Sequence, residues 1–194
     1  MLVGVLVVAL PAAIGAAVAV SGQAWVPTSD NALIALGTSD VGAHTPTYGV
    51  YSRFGFHHPG PALYLTLAPT WWVFGPSGLV LGAGVVAGAA AGATSWFCWR
   101  RGGAVVGLLG GTVVLLAIRS LAAEVIDPWN PWMSLVPFGL LVVAPWSALD
   151  GDRWAVPVAL VVASWLVQVH LGFALMAGAL AGAVVVAAAL VWRR

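Results

Sequence analysis

Residues 21–61 read SGQAWVPTSDNALIALGTSDVGAHTPTYGVYSRFGFHHPGP. This polar stretch interrupts a 194-residue chain that is 61% hydrophobic and only 7% charged. It holds two of the six acidic residues and three of the four histidines. Because the ionisable groups are concentrated in one loop, the pattern indicates that the apolar remainder of the chain serves to present that loop.

The composition outside the loop is typical of an integral membrane protein. The mean hydropathy is +1.01, and a soluble bundle of this composition would expose too much apolar surface to water. The formal net charge of +1 gives no basis for binding nucleic acid. The single cysteine, Cys98, excludes an intrachain disulfide framework and offers no metal cluster.

A hydrocarbon core about 30 Å thick requires roughly 20 apolar residues per helix. On this basis we predict an all-α, polytopic membrane helical bundle that forms a single transmembrane domain over residues 1–194. Its six predicted spans are residues 2–20, 78–99, 104–121, 133–149, 155–169 and 171–192. Residues 2–20 are interpreted as a retained first helix, because the segment lacks the positive start of a signal peptide.

The predicted extracytoplasmic loop covers residues 21–77. Asp30 lies in a helix start and Gly37 has the character of a helix stop, which predicts a short helix over about 30–36. Such a helix is too short to cross a bilayer and is expected to lie at the interface. The Gly, Pro and Thr residues of 41–61 predict irregular structure.

Segment 62–74 offers only about 13 apolar residues before a Gly-Pro turn, so we expect a second interfacial helix. The positive-inside rule supports this layout, since most arginines then lie on the cytoplasmic side. They are Arg100, Arg101, Arg153, Arg193 and Arg194. Arg53 and Arg119 are the exceptions, because this layout places them on the outer side. We therefore expect a multi-pass protein of the cell membrane with both termini in the cytoplasm.

Two loop acids, Asp30 and Asp40, are the candidate catalytic residues. An acid in the first turn of a helix is stabilised by the helix dipole, which is a purely structural explanation for Asp30. The alternative is a carboxylate ready to accept a proton or to bind a divalent cation. Asp40 lies ten residues later, so helix periodicity does not bring the two acids together. Only a fold-back of the loop would let them share a cation.

Arg53, His57 and His58 are candidate substrate-binding residues in the motif YSRFGFHHPGP. A guanidinium group suits a phosphate, although an arginine between aromatic residues also serves as an interface anchor. Adjacent histidines on a regular element point to opposite sides. The pair alone therefore does not predict a metal site.

Asp127 and His170 are further candidates, because both lie at the outward ends of predicted spans. The structural alternatives are a solvated loop acid in the aromatic turn DPWNPW and an ordinary interfacial histidine. Asp150 and Asp152 are expected to be solvated in a cytoplasmic turn. The chain has no phosphate-binding loop and no GxSxG, CxxC or HExxH motif, so soluble nucleotide chemistry has no visible site.

Together these motifs resemble the N-terminal module of GT-C glycosyltransferases, such as protein O-mannosyltransferases, lipid A aminoarabinose transferases and mycobacterial arabinofuranosyltransferases. The resemblance covers essentially the whole chain and is closest to actinobacterial membrane proteins of this superfamily. The matching motifs are the loop acids Asp30 and Asp40, the run HHPGP (57–61) in place of an HPP-like run, and the Asp-Pro at 127–128.

The chain departs from the family pattern in three ways. Gly60 replaces a proline-like position, and Asp30-Asn31 stands where the families carry a pair of acids. Six spans are also fewer than the ten or more that family members usually have. We therefore expect a fragment, or one half of an enzyme whose second chain supplies further helices.

The resemblance implies a sugar donor carried on a polyprenyl phosphate and delivered from the bilayer. It implies an extracytoplasmic glycan, lipid or protein as the acceptor. A loop carboxylate, Asp30 before Asp40, would deprotonate the acceptor hydroxyl. The candidate contacts to the lipid phosphate or the acceptor are Arg53, His57, His58, Asp127 and His170.

Two other function classes are open. A small-molecule or lipid transporter requires polar groups deep within its spans, and these spans are nearly free of them. A non-catalytic membrane subunit that scaffolds a partner chain requires no chemical site.

Overall fold

The computed structural model describes residues 2–21 and 25–192. The helices in these ranges are α1 (Leu2–Val20), α2 (Asp30–Ser39), α3 (Ala62–Phe74), α4 (Ser77–Ser120), α5 (Ala122–Val125), α6 (Asn130–Met133), α7 (Leu135–Leu149), α8 (Ala155–Val169) and α9 (Ala174–Trp192). A 3-10 turn, Leu171–Phe173, precedes α9. The all-α class is therefore confirmed. Arg193 and Arg194, two arginines of the predicted cytoplasmic set, lie outside the described residues.

Three helical segments are long and apolar enough to cross a membrane. They are Ser77–Ser120, Asn130–Leu149 and Leu171–Trp192. Three other apolar segments are shorter, Ala9–Val18, Ala62–Phe74 and Ala155–Val169. The structure thus has the form of a helical membrane protein, in which three candidate spans meet the length requirement.

The 44-residue helix α4 reverses direction near its middle. Gly102 and Gly103 have non-helical backbone angles, and Gly103 adopts a φ of 64° that a residue with a side chain rarely accepts. After the reversal the helix returns along itself, since a Cβ placed on Gly110 would lie 2.7 Å from the sulfur of Cys98. The predicted spans 78–99 and 104–121 correspond to these two antiparallel arms.

Glycines let α1 pack closely along the first arm of α4. A Cβ at Gly15 would lie 2.8 Å from the carbonyl oxygen of Val80, and Gly84 similarly faces the backbone of Pro11. Because Gly15 pairs with Val80 and Pro11 with Gly84, the two helices are antiparallel. Such close backbone approach through small residues is the usual packing mode between helices in lipid.

The polar loop packs on one end of the bundle, which we call the loop end. A buried apolar cluster joins Ile34 of α2, Tyr64 of α3, Met133 of α6 and Val169 of α8. A second buried cluster lies deeper, among α7, α8 and α9 and the side chain of Phe97. The loop is therefore a packed layer that shares its core with the bundle.

Helix α2 is longer than the sequence predicts. Gly37 does not end it, and the helix continues to Ser39. The physical reason is a packing contact, because a Cβ on Gly37 would lie only 2.5 Å from the ring of Tyr64. Gly37 thus lets α2 approach α3, so its role is steric and the expected helix stop at this position is wrong.

Residues 41–61 are irregular over most of their length, as predicted, but they also contain a small antiparallel hairpin that the sequence did not predict. Strand β1 (Tyr51–Ser52) pairs with β2 (Phe56–His57). The turn closes through a hydrogen bond from the Gly55 amide to the Ser52 carbonyl, 3.0 Å long. Gly55 has a φ of 86°, which suits glycine and explains the tight turn.

The opposite end of the bundle carries an ionic cluster. The Arg100 Nε lies 3.0 Å from Asp152 Oδ2, and Arg101 Nη1 lies 2.8 Å from Asp150 Oδ2. The side chain of Asp152 is fully buried and also accepts a hydrogen bond from the Trp154 amide. The expectation that Asp152 is solvated is therefore wrong, since two arginines and a backbone amide replace its water.

Candidate functional site

Four residues at the loop end form a hydrogen-bonded group that we call the acid–indole cluster: Asp30, Asn31, Asp127 and Trp129. The indole Nε1 of Trp129 donates to Asp30 Oδ2 over 2.8 Å. The Asn31 side-chain amide donates to Asp127 Oδ1 over 3.0 Å. The structure thus links the loop acid Asp30 to Asp127, although nearly one hundred residues separate them.

The turn DPWNPW sets the position of the indole. The Trp129 amide donates to Asp127 Oδ1 over 2.9 Å, which holds the turn closed. The next residue, Asn130, is buried, and its side-chain amide donates to the carbonyl of Val169 over 3.1 Å. The turn is therefore attached to the end of α8, and Trp129 is fixed relative to the bundle.

Asp30 combines an anchored oxygen with an accessible one. The residue is exposed at the start of α2, and its Oδ1 has no hydrogen-bond partner among the described residues. The neighbouring Asn31 Oδ1 is buried and also lacks a partner. A carboxylate held by one oxygen and open at the other is suited to accept a proton from a bound hydroxyl group.

His58 and His170 meet beside this cluster. Their ring centroids are 5.0 Å apart, and the Leu171 amide donates to His58 Nδ1 over 3.0 Å. Burial, together with the charges of His170 and His57, lowers the pKa of His58 to about 4. Burial also lowers the pKa of His170. Both rings are therefore neutral at physiological pH.

His57 points to the other side of the strand from His58, as expected for adjacent residues. It is exposed, and its ring lies 4.9 Å from that of Tyr51. Arg53 is exposed at the tip of the hairpin, with its guanidinium 5.6 Å from the centroid of the Phe54 ring. Among the described residues, neither Arg53 nor His57 forms a hydrogen bond to the acid–indole cluster.

Asp40 is not part of the cluster either. It is exposed at the C-terminal cap of α2, and a helix of ten residues places it about 15 Å from Asp30. The two acids therefore do not face one common cation site in this conformation. Among the described residues, no group of three or more His, Cys, Asp or Glu side chains is arranged to hold a metal ion.

Sequence reasoning did not identify Asn31 and Trp129 as site residues. The sequence shows the rigid aromatic turn that contains Trp129, but it does not show that the indole of Trp129 bonds to Asp30. Gly60, the departure from an HPP-like run, also has a local explanation. A Cβ there would meet the side chain of Gln168, which would have to move aside, so glycine allows the loop to pass close to the end of α8.

Comparison with known proteins finds no counterpart of this arrangement. No protein-family model, curated protein or solved structure matches the chain.

Proposed function

We propose that this chain is a GT-C-like glycosyltransferase module that works at the outer face of the cell membrane. The donor is a sugar on a polyprenyl phosphate, and the acceptor is a hydroxyl group of an extracytoplasmic glycan, lipid or protein. The observation that carries the proposal is the acid–indole cluster. It links Asp30 to the Asp-Pro turn, two motifs on which the family resemblance rests.

The proposed topology has six spans with both termini in the cytoplasm. It is supported by the two arms of α4 and by the separation of polar groups between the two ends of the bundle. The ionic cluster lies at one end and consists of Arg100, Arg101, Asp150 and Asp152. The acid–indole cluster and the histidine pair lie at the loop end. A lipid-linked donor would reach the loop end from the outer leaflet.

In the proposed reaction, the free oxygen of Asp30 takes the proton of the acceptor hydroxyl. The acceptor oxygen then forms a bond to the anomeric carbon, and the bond from that carbon to the phosphate oxygen breaks. The lipid phosphate leaves with the electron pair. Trp129 is a positioning residue, because it holds Asp30 and does not touch the reacting atoms in this scheme.

Arg53 is the proposed contact for the departing lipid phosphate. It is an exposed cation on the loop, and it makes no salt bridge among the described residues. A guanidinium group is well suited to a phosphate. His58 and His170 are less suited to this role, because their lowered pKa values keep them uncharged.

The test is release of polyprenyl phosphate from a labelled polyprenyl-phosphate sugar by the protein in liposomes, purified together with any second chain that accompanies it in its native membrane. The extracytoplasmic acceptors are supplied as a cell-envelope extract. Release reports transfer whichever acceptor is used. Asp30→Asn should lower the rate about 10²–10⁴-fold, the usual effect of removing a general base. Asparagine keeps the helix start, so the amount of protein in the membrane should not change.

Two further variants separate the alternatives. Trp129→Phe removes the indole N–H but keeps an aromatic ring, and it should reduce release less than Asp30→Asn. Asp40→Asn should leave release within a few-fold of wild type if Asp30 is the base. If instead Asp30→Asn is active and Asp40→Asn is not, Asp40 takes the role. If wild-type protein releases no lipid phosphate from any donor, the glycosyltransferase proposal is wrong and a scaffold role is favoured.

A further inference from the structure

A pocket of about 310 Å³ opens between α2, the hairpin and α3. Its walls include Leu33 and Gly37 of α2, Tyr48, Tyr51 and His57 in and beside the hairpin, and Tyr64 of α3. This volume lies at the lower end of the range for small-molecule sites. The lining surface is mainly apolar, its polar side chains are those of three tyrosines, Thr47 and His57, and none of the lining residues is an acid, a lysine or an arginine.

The pocket contains polar groups that have no hydrogen-bond partner among the described residues. His57 Nδ1 lies 3.1 Å from the Gly49 carbonyl oxygen, so it donates there, and Nε2 has no hydrogen-bond partner among the described residues. Tyr64 is only 5% exposed, yet its hydroxyl makes no hydrogen bond among the described residues. Burial raises the pKa of Tyr64 to about 12, so the hydroxyl remains a donor.

The pocket also has an aromatic rim. Tyr48 and Tyr51 are 62% and 53% exposed, and their rings lie 6.1 Å and 4.9 Å from that of His57. Aromatic faces pack well against flat apolar faces, including the C–H face of a sugar ring. The rim therefore offers stacking surface to a ring-shaped ligand that also carries hydrogen-bonding groups.

The lining discriminates between classes of ligand by charge. An anion would find no arginine or lysine, only the ring of His57, and a cation would find no carboxylate, so a charged group would lose its hydration with little compensation. A purely apolar ligand would leave the Tyr64 hydroxyl and His57 Nε2 without partners. We propose that this pocket binds an uncharged sugar residue, with the tyrosine rim against its C–H face.

This inference deepens the proposed function, because it assigns an uncharged sugar to a subsite next to the proposed base. Asp30, Leu33 and Gly37 follow an i, i+3, i+7 pattern and share one face of α2. A sugar in the pocket therefore lies along the helix face that begins with Asp30. The binding itself requires neither a donor nor any transfer.

The experiment is saturation-transfer difference NMR on the full chain in nanodiscs, without donor. The uncharged probes are methyl α-D-mannopyranoside and methyl α-D-arabinofuranoside, and the charged probes are glucuronate and choline. We expect saturation of the ring C–H protons of at least one uncharged glycoside and none of the charged probes. Absence of a signal from both glycosides, or an equal signal from choline or glucuronate, overturns the inference.

Two variants test whether the glycoside binds in this pocket. Tyr51→Ala removes a rim aromatic from an exposed position, and Tyr64→Phe removes only the unpartnered hydroxyl. Each should weaken glycoside binding about five-fold. The matched control is Phe54→Ala, an exposed aromatic on the same hairpin that does not line the pocket, and it should bind as wild type.

The outcomes remain separable from those of the transfer assay. If glycosides bind in a Tyr51-dependent way but no lipid phosphate is released, only the glycosyltransferase proposal fails. If release occurs but binding is unchanged in Tyr51→Ala and Tyr64→Phe, the pocket is not the sugar subsite. Equal losses in Tyr51→Ala and Phe54→Ala also contradict the pocket, because they indicate a general effect on the hairpin.

Discussion

Asp152 is a buried carboxylate between α7 and α8, and it compensates the charges of two arginines in α4. Its Oδ2 lies 3.0 Å from Arg100 Nε and 3.6 Å from Arg101 Nη2. The Arg101 side chain is itself only 12% exposed, and its Nε is buried without a partner. Removing one member of a buried ion pair leaves the other charge uncompensated, which typically costs about 3–5 kcal/mol. Asp152 is therefore expected to contribute more to stability than its neighbour Asp150.

We predict that Asp152→Ala lowers the thermal stability of the protein by several degrees more than Asp150→Ala does. The Asp150 side chain is 59% exposed, and a solvent-exposed pair contributes at most about 1 kcal/mol. Unfolding in detergent can be followed through maleimide labelling of Cys98, which is buried. Equal shifts for the two variants would show that burial does not distinguish these acids.

His58 makes stability depend on pH, because its pKa is lowered to about 4 by burial and by the charges of His170 and His57. The unfolded chain has the ordinary value near 6.5 and binds the proton first as pH falls. The stabilisation from the neutral ring is therefore complete above pH 6.5 and declines as pH falls toward 4. Protonation would also place a hydrogen on Nδ1, where the Leu171 amide now donates.

We therefore predict that the free energy of unfolding falls by roughly 2 kcal/mol between pH 6.5 and pH 4. His58→Asn keeps an acceptor but cannot titrate, so this variant should show a shallower decline. Part of the decline should persist, because burial lowers the pKa of His170 as well. His44→Asn, at an exposed loop position, is the control and should follow the wild-type profile. An unchanged profile in His58→Asn would contradict the assignment.

At the scale of elements, the contact between α2 and α3 holds the loop on the bundle. Ile34 and Tyr64 are buried in the same cluster, and Thr38 is buried with its hydroxyl bonded to the Ile34 carbonyl over 2.7 Å. The close approach depends on Gly37, which leaves room for the Tyr64 ring. The positions of Asp30 and of the pocket both follow from this packing.

We predict that Gly37→Ala destabilises the protein by roughly 1–3 kcal/mol, the usual cost of inserting a methyl group into a packed contact. The control is Gly178→Ala in α9, where a Cβ meets nothing within 4 Å and helix propensity improves. Thermal labelling of Cys98 measures both variants, and sugar binding should be lost together with the α2–α3 contact. A Gly37→Ala protein as stable as Gly178→Ala would mean that Tyr64 has room to move.

The sequence predicts local elements well and their contacts poorly. The apolar runs 62–74 and 155–169 coincide with α3 and α8, because Pro, Gly or polar residues flank each run and set its length. Gly37 was misassigned because a glycine that stops a helix and a glycine that admits a tyrosine ring look alike in sequence. Only the packing of α3 distinguishes them.

The residues of the candidate site could also be predicted individually, but their contacts could not. Asp30 and Asp127 were identifiable as isolated acids among apolar residues, and His170 as a polar helix end. The bond between Asp30 and Trp129 was not identifiable, because no periodicity links residues 99 positions apart. Asp152 was misassigned for a related reason, since its burial depends on arginines about fifty residues away.

At the scale of the whole molecule, polar groups are sorted to the two ends of an apolar bundle. Helix α7 begins just after Met133, which lies at the loop end, and ends just before Asp150, in the ionic cluster. The first arm of α4 leads in the same direction, from the turn before Ser77 to Arg101. A membrane therefore fits between the two ends. In the proposed topology its outer surface lies near the loop end, and the arginines lie on the cytoplasmic side as the positive-inside rule requires.

The last prediction follows from this arrangement and uses single cysteines in a Cys98→Ala background. Cysteines at Ser39 and Pro76 should react with a membrane-impermeant maleimide added to intact cells, because both lie on the loop side if α3 does not cross. A cysteine at Trp154 should react only after permeabilisation, and this exposed position changes no charge. Labelling of position 76 only after permeabilisation would mean that α3 crosses the membrane. The segments after α3 would then be inverted, and the loop acids and Asp127 would face opposite sides, which the bonds of the acid–indole cluster do not permit.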